Sequence, residues 1–214
     1  MGGKAIFWGA LVAGASYWGA ERVTLDPTVL AMWKGAGVSL LALWATSRRC
    51  WLLAAVMTFG ALGDVLLETV SLEIGAIAFL LGHVVAIRLY WRDRRNDARR
   101  AAFLLVPVIV AFAALLPADR SAIPGIVAYS TGLATMAVSA SLSRYRIAAL
   151  GAWLFVASDL LIFARLGPLA GSALADALIW PLYFVGQSLI SGSVGDIVRP
   201  GYATFRRRSF RFLN

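Results

Sequence analysis

The chain has 214 residues, of which 60% are hydrophobic and only 14% are charged. A soluble domain of this composition would expose large apolar patches, so the composition excludes an ordinary soluble protein and predicts a single integral membrane domain. The formal net charge of +9 is compatible with nucleic-acid binding, but the basic residues lie in loops, where membrane orientation and anionic headgroups explain them. We therefore expect membrane lipids, and no nucleic acid, as partners.

Apolar stretches bounded by charged residues, glycine and proline predict an all-α fold, a single bundle of about eight transmembrane helices. Several stretches are short for a hydrocarbon core of about 30 Å, which local thinning of the bilayer accommodates. The domain is predicted to occupy residues 1–198, followed by a basic cytoplasmic tail, residues 199–214, that lies on anionic headgroups. In chain order, the predicted spans are residues 5–20, 29–45, 50–68, 74–91, 101–117, 123–142, 147–165 and 173–193.

The first stretch resembles a signal peptide, because Lys4 precedes an apolar run. Trp18, however, would occupy the small-residue position before a cleavage after Ala20, so an uncleaved first span is expected. Tryptophan is enriched where spans meet the membrane surface. The predicted interfacial anchors are Trp8, Trp18, Trp33, Trp44, Trp51, Trp91 and Trp180.

The basic residues divide unequally between alternate loops. One set of loops holds only Arg22, Arg120 and Arg165. By the positive-inside rule, this asymmetry places both termini in the cytoplasm, and we expect a multi-pass protein of the bacterial inner membrane. The other set holds Lys4, Arg48, Arg49, Arg88, Arg92, Arg94, Arg95, Arg99, Arg100, Arg144, Arg146, Arg199, Arg206, Arg207, Arg208 and Arg211.

Two acidic residues lie inside predicted spans. Asp64 is in the stretch LLAAVMTFGALGDVLLE, and Asp159 is in LGAWLFVASDLLIFA. A charged side chain at the centre of a bilayer costs at least ~2.5 kcal/mol on insertion scales, so an acid there suggests a functional site. The pair indicates proton chemistry, ion coupling or substrate binding.

Several other polar residues lie at similar depths. At 1.5 Å per residue, Asp64 lies roughly 21 Å and Asp159 roughly 18 Å from the cytoplasmic start of the helix that carries it. Lys34 lies roughly 8 Å below the opposite face of the membrane. Tyr183 and Gln187 are one helical turn apart and share a face. One polar pocket in the central to outer half of the bundle could hold most of these groups. The full set adds Glu68, His83, Tyr129, Ser130 and Ser158.

Each candidate also has a structural interpretation. Lys34 could reach towards the interface, neutralise Asp64 in an ion pair, or bind a substrate phosphate. Glu68 lies near a span end, where it is either solvated or part of the pocket. His83 is either a hydrogen-bond bridge between helices or a participant in proton transfer. Tyr129, with the neighbouring Ser130, is expected to form hydrogen bonds between helices.

The residue inventory argues against two kinds of chemistry. A catalytic zinc site usually takes three protein ligands, commonly two or three histidines, whereas the chain has one histidine and one cysteine, Cys50. The sequence lacks G-x-S-x-G, and Ser158 points about 100° away from Asp159 on a helix, so a nucleophilic serine is not indicated. We expect no metal and no cofactor.

Taken together, four segments resemble the YhhN-like lysoplasmalogenase family of membrane proteins. They are GALGDVLLE at 60–68, GH at 82–83, SD at 158–159 and LYFVGQSLIS at 182–191. The similarity extends from Lys34 to about Ser191. It implies a metal-independent membrane hydrolase that cleaves the vinyl ether bond of a lysophospholipid substrate, a lysoplasmalogen, and releases a fatty aldehyde and a glycerophospho-alcohol.

The resemblance implies site roles. Asp64 and Asp159 would be the catalytic acid and base, in an order left open, because vinyl ether hydrolysis needs a proton donor and an activated water. A carboxyl group in apolar surroundings keeps its proton more readily than one in water. The alternatives are a proton-coupled transporter of lipids or small molecules, and a scaffold without catalysis. The expected substrate-binding residues are Lys34, His83, Tyr183, Gln187, Glu68 and Tyr129.

Overall fold

The computed structural model describes residues 2–197, which form α-helices, two short 3₁₀ turns and no β-strand within that range. The all-α class is therefore confirmed. The predicted basic tail, residues 199–214, lies outside the described residues. The eight helices are α1 (Gly3–Ala20), α2 (Pro27–Ser47), α3 (Trp51–Thr69), α4 (Leu72–Arg92), α5 (Leu105–Leu115), α6 (Ile123–Leu142), α7 (Arg146–Arg165) and α8 (Ala173–Ile197).

Six of the eight described helices, α2, α3, α4, α6, α7 and α8, are long and apolar enough to cross a membrane. The predicted continuous helix over residues 101–117 is wrong, because the chain there forms a 3₁₀ turn, Arg100–Leu104, followed by α5 with 11 residues. Pro107 lies in the first turn of α5, where its missing N–H leaves no helical bond unmade. An α-helix of this length extends about 16 Å, roughly half of a hydrocarbon core.

Short polar caps start two of the spans. The Asp26 carboxylate accepts hydrogen bonds from the backbone N–H groups of Thr28, at 2.9 Å, and Val29, at 3.3 Å. Pro27 follows at the first helical position, where proline is favoured. Ser71 caps α4 in the same way. These caps satisfy N–H groups that would otherwise be unpaired at the ends of apolar helices.

The helices form one bundle in which sequence neighbours pack side by side. α8 contacts α1, α2, α3 and α7, whereas α5 lies on the periphery against α6. We call the end of the bundle at which α1 ends and α2 begins the mouth end. Large apolar side chains such as Val12, Leu104 and Leu115 are more than half exposed on the outside, which suits contact with lipid.

Glycines allow the closest helix contacts. A Cβ atom at Gly151 of α7 would lie 2.5 Å from the carbonyl oxygen of Gly186 on α8, so the two backbones touch directly. Gly14 and Gly37 leave room for the ring of Phe184. Small residues permit such approaches in membranes, where dispersion contacts hold helices together.

The predicted tryptophan anchors differ in exposure, and Trp33 is half-buried and donates a hydrogen bond to Ser16 at 3.1 Å. Trp44 and Trp180 are buried, so their predicted role as interfacial anchors is wrong. Trp180 donates a hydrogen bond from Nε1 to the Gly14 carbonyl at 2.8 Å and stacks on Phe184, which holds it inside the bundle. The large exposed tryptophans are Trp8, Trp18, Trp51 and Trp91.

The contact between α7 and α8 can be tested by adding a side chain to it. Gly151→Val should reduce the free energy of unfolding by about 1–3 kcal/mol, because the new atoms displace a backbone rather than a flexible side chain. Gly9→Val is the matched control, since a Cβ atom at Gly9 meets nothing within 4 Å. Thermal unfolding in detergent measures both; equal midpoints for the two variants would contradict the packing described.

Candidate active site

Asp64 on α3 and Asp159 on α7 are both buried, with 2% and 5% of their surfaces exposed. Both line one cavity of about 500 Å³ at the mouth end of the bundle. The cavity is formed mainly by residues of α1, α2, α3, α7 and α8. The two carboxyl groups therefore face a shared space.

Asp64 is held by a tyrosine from α8. The Tyr183 hydroxyl donates a hydrogen bond to Oδ2 of Asp64 at 2.8 Å. Gln187 lies one turn further along α8, also buried. A Cβ atom at Gly60 would lie 3.1 Å from Nε2 of Gln187 and 3.5 Å from the Tyr183 hydroxyl. The missing side chain at Gly60 therefore leaves space for both polar groups next to α3.

Asp159 is held by a tyrosine from α6. The Tyr129 hydroxyl donates to Oδ2 of Asp159 at 2.6 Å, and Nε2 of His83 lies 3.3 Å from the same hydroxyl oxygen. Because the single hydroxyl proton of Tyr129 is used towards Asp159, the hydrogen bond with His83 requires that Nε2 be the donor. The result is a chain of hydrogen bonds from α4 through α6 to α7. Tyr129 therefore joins helices as predicted.

The neighbouring Ser130 does not join helices. Its hydroxyl donates to the carbonyl oxygen of Ile126, one turn earlier on the same helix, at 2.5 Å. The expectation of an interhelical bond is therefore wrong, because a serine in an apolar helix can satisfy itself locally. Ser158 does reach another helix, since its hydroxyl donates to the Ile179 carbonyl on α8 at 2.9 Å.

Two phenylalanines that the sequence analysis did not select pack against Tyr183 and His83. The ring centre of Phe155 is 4.9 Å from that of Tyr183 and 5.2 Å from that of His83. The ring of Phe79 is 5.8 Å from that of Tyr183 and fills the space left by Gly63. They add apolar surface to the cavity that both aspartates line. No sequence signal marks them, because phenylalanine is common in membrane helices.

A proline shapes α8 next to the site. Pro181 has no N–H, so the carbonyl oxygen of Ala177, four residues earlier, loses its helical partner. Nε1 of Trp18 on α1 donates a hydrogen bond to that oxygen at 3.0 Å. This contact ties α1 to α8 one and a half turns before Tyr183.

Charged residues of both signs surround the mouth of the cavity. Lys34 pairs with Glu68 at 2.5 Å, so the alternative ion pair between Lys34 and Asp64 is wrong. Glu68 lies one turn closer to the mouth end than Asp64, on the same face of α3, and this position brings it within reach of Lys34. Arg165 pairs with Asp176 at 2.5 Å. These cross-helix pairs border the cavity with ammonium, guanidinium and carboxylate groups.

Glu21 contributes a further carboxyl group to this border. It forms an ion pair with Arg22 at 3.1 Å. Partial burial raises the pKa of Glu21, while the positive charges of Arg22 and Lys34 act in the opposite direction. Across residues 2–197, no three histidine, cysteine, aspartate or glutamate side chains are grouped to hold a metal ion.

The fold and this site define a class, a multi-pass integral membrane protein with paired acids in a polar cavity inside its helical bundle. The chain belongs to the YhhN family, whose model matches residues 29–194. The matched range includes both aspartates and all the predicted substrate-binding residues. No curated protein and no solved structure shows significant similarity to the chain.

The hydrogen bond between Tyr129 and Asp159 should cost more stability when one partner is removed than when both are removed. Tyr129→Phe should lower the free energy of unfolding by about 1–3 kcal/mol, because it leaves a buried carboxyl group without its donor. The double variant Tyr129→Phe with Asp159→Leu should recover part of that loss, since the unpaired carboxyl group is then absent and only His83 is left without its partner. Thermal unfolding of the three proteins is the measurement. A double variant less stable than Tyr129→Phe would contradict this account.

Proposed function

We propose that the protein is a membrane-embedded lipid hydrolase of the lysoplasmalogenase type. It cleaves the vinyl ether bond of a lysoplasmalogen to a fatty aldehyde and a glycerophospho-alcohol. The observation that carries the proposal is the pair of buried carboxyl groups, each bonded to a tyrosine hydroxyl, on one cavity that opens among charged residues. Membership of the YhhN family supports it.

The reaction needs only a proton donor, a proton acceptor and one water molecule. The acid protonates the second carbon of the alkenyl chain, and the first carbon and the ether oxygen then share the positive charge as an oxocarbenium ion. Water adds to the first carbon and gives a proton to the base. The resulting hemiacetal collapses to the aldehyde and the alcohol. No oxidant, metal or cofactor is required to balance these steps.

Asp64 and Asp159 can divide this work as paired carboxyl groups do in glycoside hydrolysis. One supplies the proton, and the other remains ionised, stabilises the cation and accepts the proton from water. Tyr129 and Tyr183 fix the orientation of the two groups through their hydrogen bonds. His83 acts through Tyr129. After each cycle, proton exchange with water in the cavity restores both carboxyl groups.

The mouth of the cavity suits a zwitterionic headgroup. Lys34 and Arg165 can meet a phosphate, while Glu68 and Asp176 can meet a positively charged amine. Each ion pair would exchange its partner for a part of the headgroup, so no charge is left unpaired on binding. Gln187, beside Tyr183, would orient water or the glycerol backbone.

We further propose that all eight helices cross the membrane, with both termini in the cytoplasm and the mouth end outside. The distribution of basic residues supports this orientation. α1 has 18 residues, about 27 Å of helix, and packs on α2 and α8. The shorter α5 would cross together with its preceding 3₁₀ turn. A bacterial inner membrane is the expected location.

A second candidate function is proton-coupled transport of a lipid or small molecule. The hydrogen-bond chain from His83 through Tyr129 to Asp159 favours it, because such chains also serve as proton relays in transporters. Uptake of a substrate into proteoliposomes without covalent change would support transport over hydrolysis.

The purified protein should release fatty aldehyde from lysoplasmalogen in detergent. Asp64→Asn and Asp159→Asn should each lower the rate by about 10²–10⁴, since each removes one partner of the acid and base pair. Asp97→Asn is the matched control, because that side chain is 81% exposed and lies outside the cavity. Aldehyde release is followed with a coupled dehydrogenase, and thermal unfolding checks the fold. Full activity in both site variants would contradict the proposed mechanism.

The order of bond making predicts an isotope pattern. In deuterium oxide, the aldehyde should carry a single deuterium on its second carbon, because the proton added there comes from a carboxyl group that exchanges with solvent. Mass spectrometry of the trapped aldehyde provides the measurement. Unlabelled aldehyde incubated with the protein in deuterium oxide controls for later exchange. A product without deuterium would exclude protonation of the chain carbon.

A further inference from the structure

A second cavity lies beside the polar one. It is a groove of about 550 Å³ between α4, α6 and α7, and most of its lining is apolar. Four residues with small or absent side chains, Ala76, Ala122, Gly125 and Ala128, line it. Ile77 and Leu166 on its border are 54% and 41% exposed, so the groove opens sideways to the surface that faces lipid.

The groove and the polar cavity are neighbours that share part of their walls. Both are lined by Leu67, Phe79, Asp159 and Ile162. Asp64, in contrast, lines only the polar cavity. Asp159 therefore lies where an apolar space meets a polar one, and its partner Tyr129 lines the groove.

We propose that the groove holds the hydrocarbon chain of the lipid substrate, with the vinyl ether at Asp159 and the headgroup in the polar cavity. This proposal rests on the proposed function. The vinyl ether is the junction between the apolar and the polar part of a lysoplasmalogen, and Asp159 lies at the junction of the two spaces. The groove volume is within the range of roughly 300–1,000 Å³ for ligand sites.

The path of the hydrocarbon chain follows from the positions of Tyr129 and Gly125 on α6. Gly125 lies one turn from Tyr129 on the same face, about 6 Å nearer the mouth end. A hydrocarbon chain that starts at Asp159 passes Tyr129 and Gly125 and leaves the bundle sideways past the exposed Ile77, whereas Glu73 and Asp119 border the groove at its mouth end. Because the surrounding lipid is as apolar as the groove, fit rather than hydrophobic burial decides which chains bind.

This placement decides which aspartate is the acid and which is the base. The carbon that takes the proton is one carbon further into the chain than the carbon attacked by water. The acid must therefore lie on the groove side, where Asp159 is, and it protonates the second carbon. Asp64, which lines only the polar cavity, receives the proton from the attacking water on the headgroup side. Tyr129 and His83 position the acid.

The first test fills the groove. A Cβ atom at Gly125 meets nothing within 4 Å, so Gly125→Leu should fold normally and narrow the groove. The rate with hexadecenyl lysoplasmalogen should fall about tenfold or more relative to the rate with the butenyl analogue, as expected when an apolar pocket loses the space of a few methylenes. Gly9→Leu is the control, because Gly9 is exposed, equally unobstructed and outside both cavities.

The outcomes separate this proposal from the function on which it rests. Wild-type protein without any lysoplasmalogen cleavage would contradict the function. If Gly125→Leu is active and keeps the wild-type ratio of the hexadecenyl rate to the butenyl rate, the groove assignment is overturned and the proposed function stands. A second measurement does not need activity: a lysophospholipid with a photoreactive diazirine in its chain should label peptides of α4, α6 and α7, the helices that line the groove, in the wild-type protein. Labelling confined to other helices would also overturn the assignment.

Chemical rescue tests the two roles. Formate can enter the open polar cavity and accept a proton from water, so it should restore part of the activity of Asp64→Asn. It should not restore Asp159→Asn, because formate is an anion near neutral pH and has no proton to give to the alkenyl carbon. Rescue of Asp159→Asn instead of Asp64→Asn would reverse the assignment.

Discussion

A carboxyl group inside an apolar helical bundle must find hydrogen-bond donors from other helices, because neither lipid nor its own helix supplies them. Asp64 on α3 obtains its donor from Tyr183 of α8, and Asp159 on α7 obtains its donor from Tyr129 of α6. These two bonds constrain four helices at once. They also place both acids on one cavity, so the requirement that satisfies the buried groups creates the site.

Two glycines of α3, Gly60 and Gly63, make this arrangement possible because they carry no side chain. Gly60 leaves space for the polar ends of Tyr183 and Gln187, and Gly63 leaves space for the ring of Phe79. Both glycines lie within four residues of Asp64. The segment GALGD is thus a packing surface as well as the source of an acid, and a side chain at either glycine would displace a group that surrounds the carboxyl.

The distribution of polarity links the structure to the proposed chemistry. Ion pairs border one space, mostly apolar side chains line the other, and Asp159 lines both. A lipid has the same division between headgroup and chain. The match supports a reaction at the bond that joins the two parts, and it gives the two aspartates different surroundings although their sequence settings look alike.

The sequence by itself determined the helices apart from the short α5, the all-α class, the family and the polar residues buried in the bundle, because apolar length and isolated acids are local signals. It also placed Tyr183 and Gln187 on one face. Only the tertiary structure decided which polar side chains pair with one another. Periodicity defines the face and height of Lys34 but not which helix lies opposite, so its pairing with Glu68 could not be predicted. Phe79, Phe155 and the apolar groove carry no sequence signal, since membrane helices are apolar on lipid-facing and buried faces alike.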